Sequence, residues 1–279
     1  MLIKIKSAVK IIRPLNFLIS FFSIFVACLI CSDSNILYCT LLTASFAGAV
    51  VGAAGNVIND ILDIEIDRIN RPKRVLPAGL LSKNEALVFY VILNLIALLL
   101  GSYLNYVSLI IIIVTLALVY LYSWRLKKIP LLGNLTVAAM TALAFVYGGV
   151  AVGNWQRSVI PAFFAFMVNF IREILKDIED IEGDSRNNVV TFPAKYGIKP
   201  AVKIITGSTV LLILSTFIPF VLNYYKIEYF IIIMVFVNVM FVYFLNSLCK
   251  DQSKKNLGLL SSVLKANMIL GLLAIYMGK

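Results

Sequence analysis

An all-α integral membrane protein, folded as a bundle of nine transmembrane helices, is the architecture this sequence predicts, and three observations predict it. The chain has 279 residues, of which 61% are hydrophobic and only 14% charged, where a soluble domain carries about a quarter charged residues. Its mean hydropathy is +0.95. Apolar runs recur from end to end, each near the roughly 20 residues needed to cross a bilayer.

The runs and the cations between them fix the expected topology in order. Lys4, Lys6, Lys10 and Arg13 precede the first run, 14–32, and a second follows at 36–59. Arg68, Arg71, Lys73, Arg74 and Lys83 fill the next loop, before runs at 86–105 and 106–123. Arg125, Lys127 and Lys128 then lead to runs at 133–153 and 158–175. Arg172, Lys176, Arg186, Lys195, Lys199 and Lys203 surround the following loop, ahead of runs at 201–222 and 228–248. Lys250, Lys254 and Lys255 precede the last run, 257–277, which carries Lys265. Of the 25 Lys and Arg residues only Arg157, Lys226 and Lys279 fall on the opposite side. Short loops rich in Lys and Arg stay cytoplasmic. The asymmetry therefore predicts a multi-pass protein of the cell membrane with an odd number of spans, its N-terminus and the acidic loops described below cytoplasmic. Gly52, Gly55, Gly148, Gly149 and Gly153 lie within runs, where small residues let helices approach closely.

Composition also excludes several function classes. A net charge of +11 would suit nucleic acid, but the cations sit in short loops between spans, where they set topology. No nucleic-acid partner is expected. There is no histidine, which removes His-based catalysis and haem ligation by His. Cys28, Cys31, Cys39 and Cys249 lie in or beside apolar segments without metal-type spacing and read as packing residues. The first apolar run lacks a small-residue cleavage pattern, so no cleavable signal peptide is expected.

Acid is scarce and clustered, and the clusters carry the chemistry. Of the 14 acidic residues all but Asp33, Glu85, Glu228 and Asp251 fall within 60–67 or 173–184. Asn59, Asp63 and Asp67 are spaced i, i+4, i+8, so on a helix they stack along one face, with Asp60 beside Asn59 and an i+3 neighbour of Asp63. Such a stripe is self-repulsive unless a cation binds. The pattern recurs at a constant offset: Asp60, Asp63, Glu65, Asp67 and Asn70 match Asp177, Asp180, Glu182, Asp184 and Asn187. A repeat of this kind predicts a single domain, 1–279, made of two related half-bundles at about 1–130 and 131–250 plus a last helix at 257–277. Each half would bring an acidic helix end to a common centre.

Glu173, Asp177, Asp180 and Asp184 run i, i+4, i+7, i+11 along one helical face, while Glu65, Glu179 and Glu182 stand off the stripes and read as solvated. Magnesium takes few carboxylates, keeps waters and completes its shell with substrate phosphates. Two acidic faces with nearby cations therefore fit a diphosphate held between metal ions, its outer oxygens gripped by Arg and Lys. Arg68, Arg71, Lys73 and Arg74 follow the first motif in a loop stiffened by Pro72 and Pro77, and Lys127 and Lys128 follow Tyr122. Arg13 and Asn16 flank Pro14 where the first span begins. Many of these cations equally satisfy the positive-inside rule. Arg71 and Lys73, interleaved with carboxylates, are the ones that rule explains least.

Asn59-Asp60-x-x-Asp63-x-x-x-Asp67, then Asn70-Arg71-Pro72, with Asp180-x-x-x-Asp184 later, resembles the two signatures of the UbiA superfamily of intramembrane prenyltransferases. The resemblance covers nearly the whole chain and implies cytoplasmic cap loops over a lateral, lipid-facing cavity that takes a polyprenyl diphosphate with Mg2+. It further implies that Asn59, Asp63 and Asp67 hold one magnesium–diphosphate and Asp180 and Asp184 the other. Asp60 and Asp177 would support them, and Arg71, Lys73 and Lys128 would contact phosphate. Tyr122 resembles a family tyrosine whose ring stabilises positive charge near the allylic carbon, although an interfacial belt role explains it equally.

Within the superfamily, Lys176 to Asp184, Asn70 to Arg74 and Thr191 to Gly197 are most similar to the archaeal members that join a geranylgeranyl group to geranylgeranylglyceryl phosphate. The implied donor is geranylgeranyl diphosphate, and the bond formed is the second ether of archaeal membrane lipids. Val75-Leu76-Pro77 departs from the commoner Pro-Leu-Pro. The alternatives are a family member acting on an aromatic acid, a quinone precursor or haem and, from another class, a cation-coupled transporter.

Overall fold

A computed structural model of the chain describes residues 2–33, 37–181 and 191–279. Among the described residues the regular elements are all helical: α1 (Leu2–Ile11), α2 (Pro14–Cys31), α3 (Tyr38–Leu62), α4 (Ile64–Asn70), α5 (Lys83–Leu104), α6 (Tyr106–Trp124), α7 (Leu132–Ala151), α8 (Val159–Glu179), α9 (Phe192–Tyr196), α10 (Ile198–Val221), α11 (Ile227–Lys250) and α12 (Lys254–Gly278). Nine of them are long and apolar enough to cross a membrane, as the sequence predicts.

Two spans run further than their hydropathy suggests. The second continues to Leu62 and the sixth to Glu179. The backbone ladder does not end where apolar residues do: Asp63 N–H still donates to the Asn59 carbonyl at 3.0 Å, and Asp180 N–H to that of Lys176 at 2.9 Å. Asn59, Asp60, Glu173 and Asp177 are therefore helical residues, held in a fixed register with the span below them. Elsewhere local chemistry sets the ends. Ser82 and Glu85 form a capping box at the start of α5. Asn105, in extended conformation, breaks α5 from α6, accepting a hydrogen bond from Ser108 N–H at 2.8 Å.

The chain divides into two compact units, residues 1–126 with 143–158, and 127–142 with 159–279. In the first, α3 is the central helix and packs against α2, α5 and α6. It is 61% buried along its span, against 17% for α5 and for α6, so those two present most of their surface outward as a lipid-facing helix must. The first unit owes its tightness to small residues: a side-chain carbon at Gly148 would stand 2.7 Å from Ala27 Cβ and 3.2 Å from the Cys28 backbone nitrogen.

In the second unit α8 packs against α10 and α12. One turn of α11, Ile233–Val237, is a π-helix, which frees a carbonyl from the usual ladder. Buried Asn267 of α12 donates to the Val237 carbonyl at 3.1 Å. Buried Asn238 and Tyr229 reach α10 at the Thr216 hydroxyl (3.2 Å) and carbonyl (2.8 Å). An unpaired polar group inside an apolar bundle is costly, and these bonds supply partners for the Val237 and Thr216 carbonyls and for the Asn238 amide.

Replacing Gly148 by valine is expected to lower unfolding stability by about 2 kcal/mol, because backbone on the facing helix cannot yield as a side chain can. Thermal unfolding of the purified protein in detergent measures it, and an unchanged midpoint would refute the close approach.

Candidate active site

The end of α3 is where the first unit concentrates its charge. Asn56 donates from its side-chain amide to the Ile12 carbonyl at 3.0 Å, tying the corner between α1 and α2 to α3. One turn on, Asp60 is 4% exposed and Asp67 5%. Carboxylates so sealed need counter-charge. Arg13 Nη2 donates to Asp60 Oδ1 at 2.5 Å, and Arg74 Nη1 donates to the same oxygen at 3.3 Å and to Asp67 Oδ2. Arg13 itself has a left-handed backbone, φ 55°, at the turn into α2.

The loop that delivers Arg74 is built for the purpose. Arg74 N–H donates to the Arg71 carbonyl at 2.9 Å, Ala78 N–H to that of Arg74 at 2.9 Å and Leu80 N–H to that of Val75 at 3.1 Å. Val75 and Leu76 are buried in the core of the first unit. The apolar pair next to Arg74 thus pins the loop, and Gly79, at φ 68°, turns it towards α5.

This arrangement differs in one respect from a single Asn59, Asp63, Asp67 stripe. Helix-type bonding carries across the α3–α4 junction at Asp63 (φ −97°, ψ 7°), where Asp67 N–H donates to the Asp63 carbonyl at 2.8 Å. A step of seven residues nearly completes two helical turns, whereas eight overshoots by most of a right angle. Asp67 therefore shares the buried side with Asp60, under Arg74, while Asn59 and Asp63 are half-buried beside them. Glu65 is exposed and paired with Arg68, whose Nη1 reaches both of its oxygens at 2.9 and 3.0 Å. Arg71, Lys73 and Asn16 are exposed, and the Lys73 carbonyl accepts from Lys10 at 3.5 Å. Tyr122 is half-buried in the last turn of α6.

The second unit builds its acidic end in a parallel way. Asp177, the repeat partner of Asp60, accepts a hydrogen bond on Oδ2 from buried Asn134 of α7 at 2.9 Å. Glu173 is held by Arg172 and Lys176, each at 3.0 Å. Glu179 is not simply solvated: it is half-buried and lies against Gly258 of α12. Asp180 is exposed in the turn that follows α8. Lys127 is half-buried and Lys128 exposed in a short 3-10 turn. Asp184 and Glu182 lie outside the described residues.

Two partners escaped the sequence reading. Arg74 stood among the loop cations, with nothing to rank it above Arg71 or Lys73. Asn134 gave no signal, because its distance from Asp177 is a tertiary fact. Among the described residues no three His, Cys, Asp or Glu side chains cluster tightly enough to hold a metal ion. The donor chemistry nevertheless fits Mg2+: Asn59, Asp63, Asp67 and Asp180 offer amide and carboxylate oxygens, the hard ligands it takes.

The fold and its charged ends define a polytopic helical membrane protein with two acidic helix termini, each clamped by side chains from neighbouring segments. The pattern of the UbiA prenyltransferase family matches residues 20–267, and the chain belongs to that family. It is 36% identical to digeranylgeranylglyceryl phosphate synthase of Methanocaldococcus jannaschii, over 99% of this chain and 96% of that one. It is 34% identical to the protein of that name from Methanosphaera stadtmanae, over 97% and 98%. A solved structure of a digeranylgeranylglyceryl phosphate synthase superposes with a TM-score of 0.85 at 36% identity, covering 99% of this chain and 98% of the other. A UbiA homologue from Archaeoglobus fulgidus, solved bound to GPP and Mg2+, shares the fold with a TM-score of 0.65 at 16% identity, covering 96% and 99%.

Leu76→Ala should remove the pin of the Arg74 loop at a cost of about 2–4 kcal/mol. Limited trypsin digestion then reads the result, with faster cleavage after Arg71, Lys73 or Arg74 than in the parent protein. Equal rates would mean that Leu76 does not hold the loop.

Proposed function

We propose that this prenyltransferase moves a geranylgeranyl group from geranylgeranyl diphosphate to the free hydroxyl of geranylgeranylglyceryl phosphate, forming an ether bond and releasing diphosphate. The observation that carries the choice of acceptor is the 36% identity, over 99% of the chain, to a solved digeranylgeranylglyceryl phosphate synthase. The use of Mg2+ is supported by the oxygen-only donor set and by the family member solved with GPP and Mg2+.

In this reading Asn59, Asp63 and Asp67 would hold one Mg2+ and Asp180 and Asp184 the other. Bound Mg2+ neutralises charge on the leaving diphosphate. Arg68, Arg71, Lys73, Lys127 and Lys128 grip its outer oxygens, and their fixed positive charge favours C1–O cleavage because negative charge builds on that oxygen. Arg13 and Asn16, at the start of α2, face the same anionic chemistry. The allylic cation left behind lies in an apolar, lipid-accessible cavity between spans, where water is scarce and hydrolysis is suppressed. The Tyr122 ring stabilises that cation. The acceptor hydroxyl attacks C1, and its proton passes to Glu173, Asp177 or the departing diphosphate. An acceptor that carries its own phosphate suits a site with this surplus of cations. The Lys and Arg asymmetry puts the site under cap loops on the cytoplasmic face of the cell membrane. The chain acts as one domain made of two related halves.

Purified protein supplied with geranylgeranyl diphosphate, Mg2+ and geranylgeranylglyceryl phosphate should yield the diether, and chelation with EDTA should stop it. Absence of the ether, with transfer to an aromatic acid or quinone precursor instead, would refute the acceptor. Asp63→Asn and Asp180→Asn should each lower the rate by about 10²–10³-fold.

A further inference from the structure

Asp60 draws together two arginines from distant segments of the chain. One oxygen, Oδ1, accepts from two guanidinium groups, Arg13 at 2.5 Å and Arg74 at 3.3 Å. The three side chains come from separate segments: the α1–α2 corner, α3 and the loop before α5. Their exposure is graded. The Asp60 side chain is 5% exposed, Arg74 20% and Arg13 33%. The anion is sealed inside and the cations open outward.

Two guanidinium groups drawn to one oxygen repel each other; the shared Asp60 carboxylate offsets that repulsion, and Asp67 Oδ2 holds Arg74 from a second side. Hydrogen bonds to an ionised acceptor are short and directional, so they fix where the forks point as well as how close they lie. Two of the roughly four acceptor positions of the Asp60 carboxylate are thus taken by arginine. In the prenyl-transfer reading the metal ligands of this motif are Asn59, Asp63 and Asp67, of which Asn59 and Asp63 are half-buried beside Asp60.

We infer that Asp60 is a positioning residue: it stays out of the metal shell and holds Arg13 and Arg74 as a paired grip for a phosphate oxyanion of the substrates. The inference rests on the prenyl-transfer reading, which supplies two such oxyanions, the diphosphate of the donor and the phosphate of the acceptor. The grip accounts for an acidic motif that contains one more carboxylate than its metal needs. It also explains why Arg74 is carried on a pinned loop, since a paired grip works only if both members are placed.

The test uses the full-length protein in detergent and two direct binding measurements. Calorimetry reads the affinity for inorganic diphosphate and, separately, for glycerol 1-phosphate. Electron paramagnetic resonance reads Mn2+ binding in place of Mg2+. Asp60→Asn should weaken at least one of the two anions by about tenfold, while Mn2+ affinity stays within about twofold. Loss of diphosphate binding assigns the grip to the donor, and loss of glycerol phosphate binding assigns it to the acceptor. The sign is decisive: a bystander carboxylate, once neutralised, would tighten anion binding, and that result overturns the inference. So does loss of Mn2+ binding in Asp60→Asn equal to that in Asp63→Asn, which would make Asp60 a ligand. Arg74→Gln approaches the grip from its other side and should weaken the same anion with Mn2+ binding retained. If Asp60→Asn does not fold and Arg74→Gln binds both anions normally, the inference is wrong. Failure of the parent protein to bind Mn2+ would count against the metal reading alone, because the anion measurements still decide the grip.

Discussion

A carboxylate taken out of water at the end of a membrane-spanning helix must find a cation or lose its charge. Asp60 and Asp67 meet that requirement through Arg13 and Arg74, and much of the first unit follows from it. Arg13 has to reach α3 from the turn before α2, so the corner between α1 and α2 is drawn against the end of α3 and fastened by Asn56. Arg74 has to reach both acids, so its loop is buried at Val75 and Leu76 rather than left in solvent. The charged junction, more than the hydropathy of the spans, sets how the segments after α3 are arranged.

That junction needs a rigid support, and α3 provides it. Its row of Ala, Gly and Ser residues lets α2, α5 and α6 approach closely, so the acids at its end stand on a helix packed on three sides. Lipid offers no hydrophobic drive between helices, and close contact must do that job. The second unit solves the same problem with polar partners. Beside the π-turn of α11, Asn267, Asn238 and Tyr229 make bonds to the Val237 carbonyl, the Thr216 hydroxyl and the Thr216 carbonyl that join α10, α11 and α12. Those bonds brace the helices around α8, whose last turns carry Glu173 and Asp177.

The two acidic motifs are related in sequence and in construction, yet their clamps differ. Asp60 is held by two guanidinium groups, Asp177 by the amide of Asn134. A carboxylate held by cations serves to place those cations. The carboxylates share one spacing in the two motifs, while the partners of Asp60 and Asp177 differ.

The nine spans were legible because each one needs a long apolar run, and a run of that length has few other physical meanings. The acidic motifs were legible because acid is so scarce elsewhere that its spacing stands out. The side each carboxylate faces was only half legible: the i, i+4, i+8 pattern puts Asn59, Asp63 and Asp67 roughly in line, but a seven-residue step returns closer to the starting face, and Arg74 draws Asp67 to Asp60. Composition could not rank Arg74 above Arg71 or Lys73, since all three sit in one basic loop and only the burial of Val75 and Leu76 decides which guanidinium turns inward. Nor could any spacing pair Asn134 with Asp177, because their contact depends on how α7 lies against α8. By itself the sequence determined which segments cross the membrane and which residues carry charge, both consequences of solvation. Tertiary structure alone decided which charges meet, because desolvation is settled by packing between segments far apart in the chain.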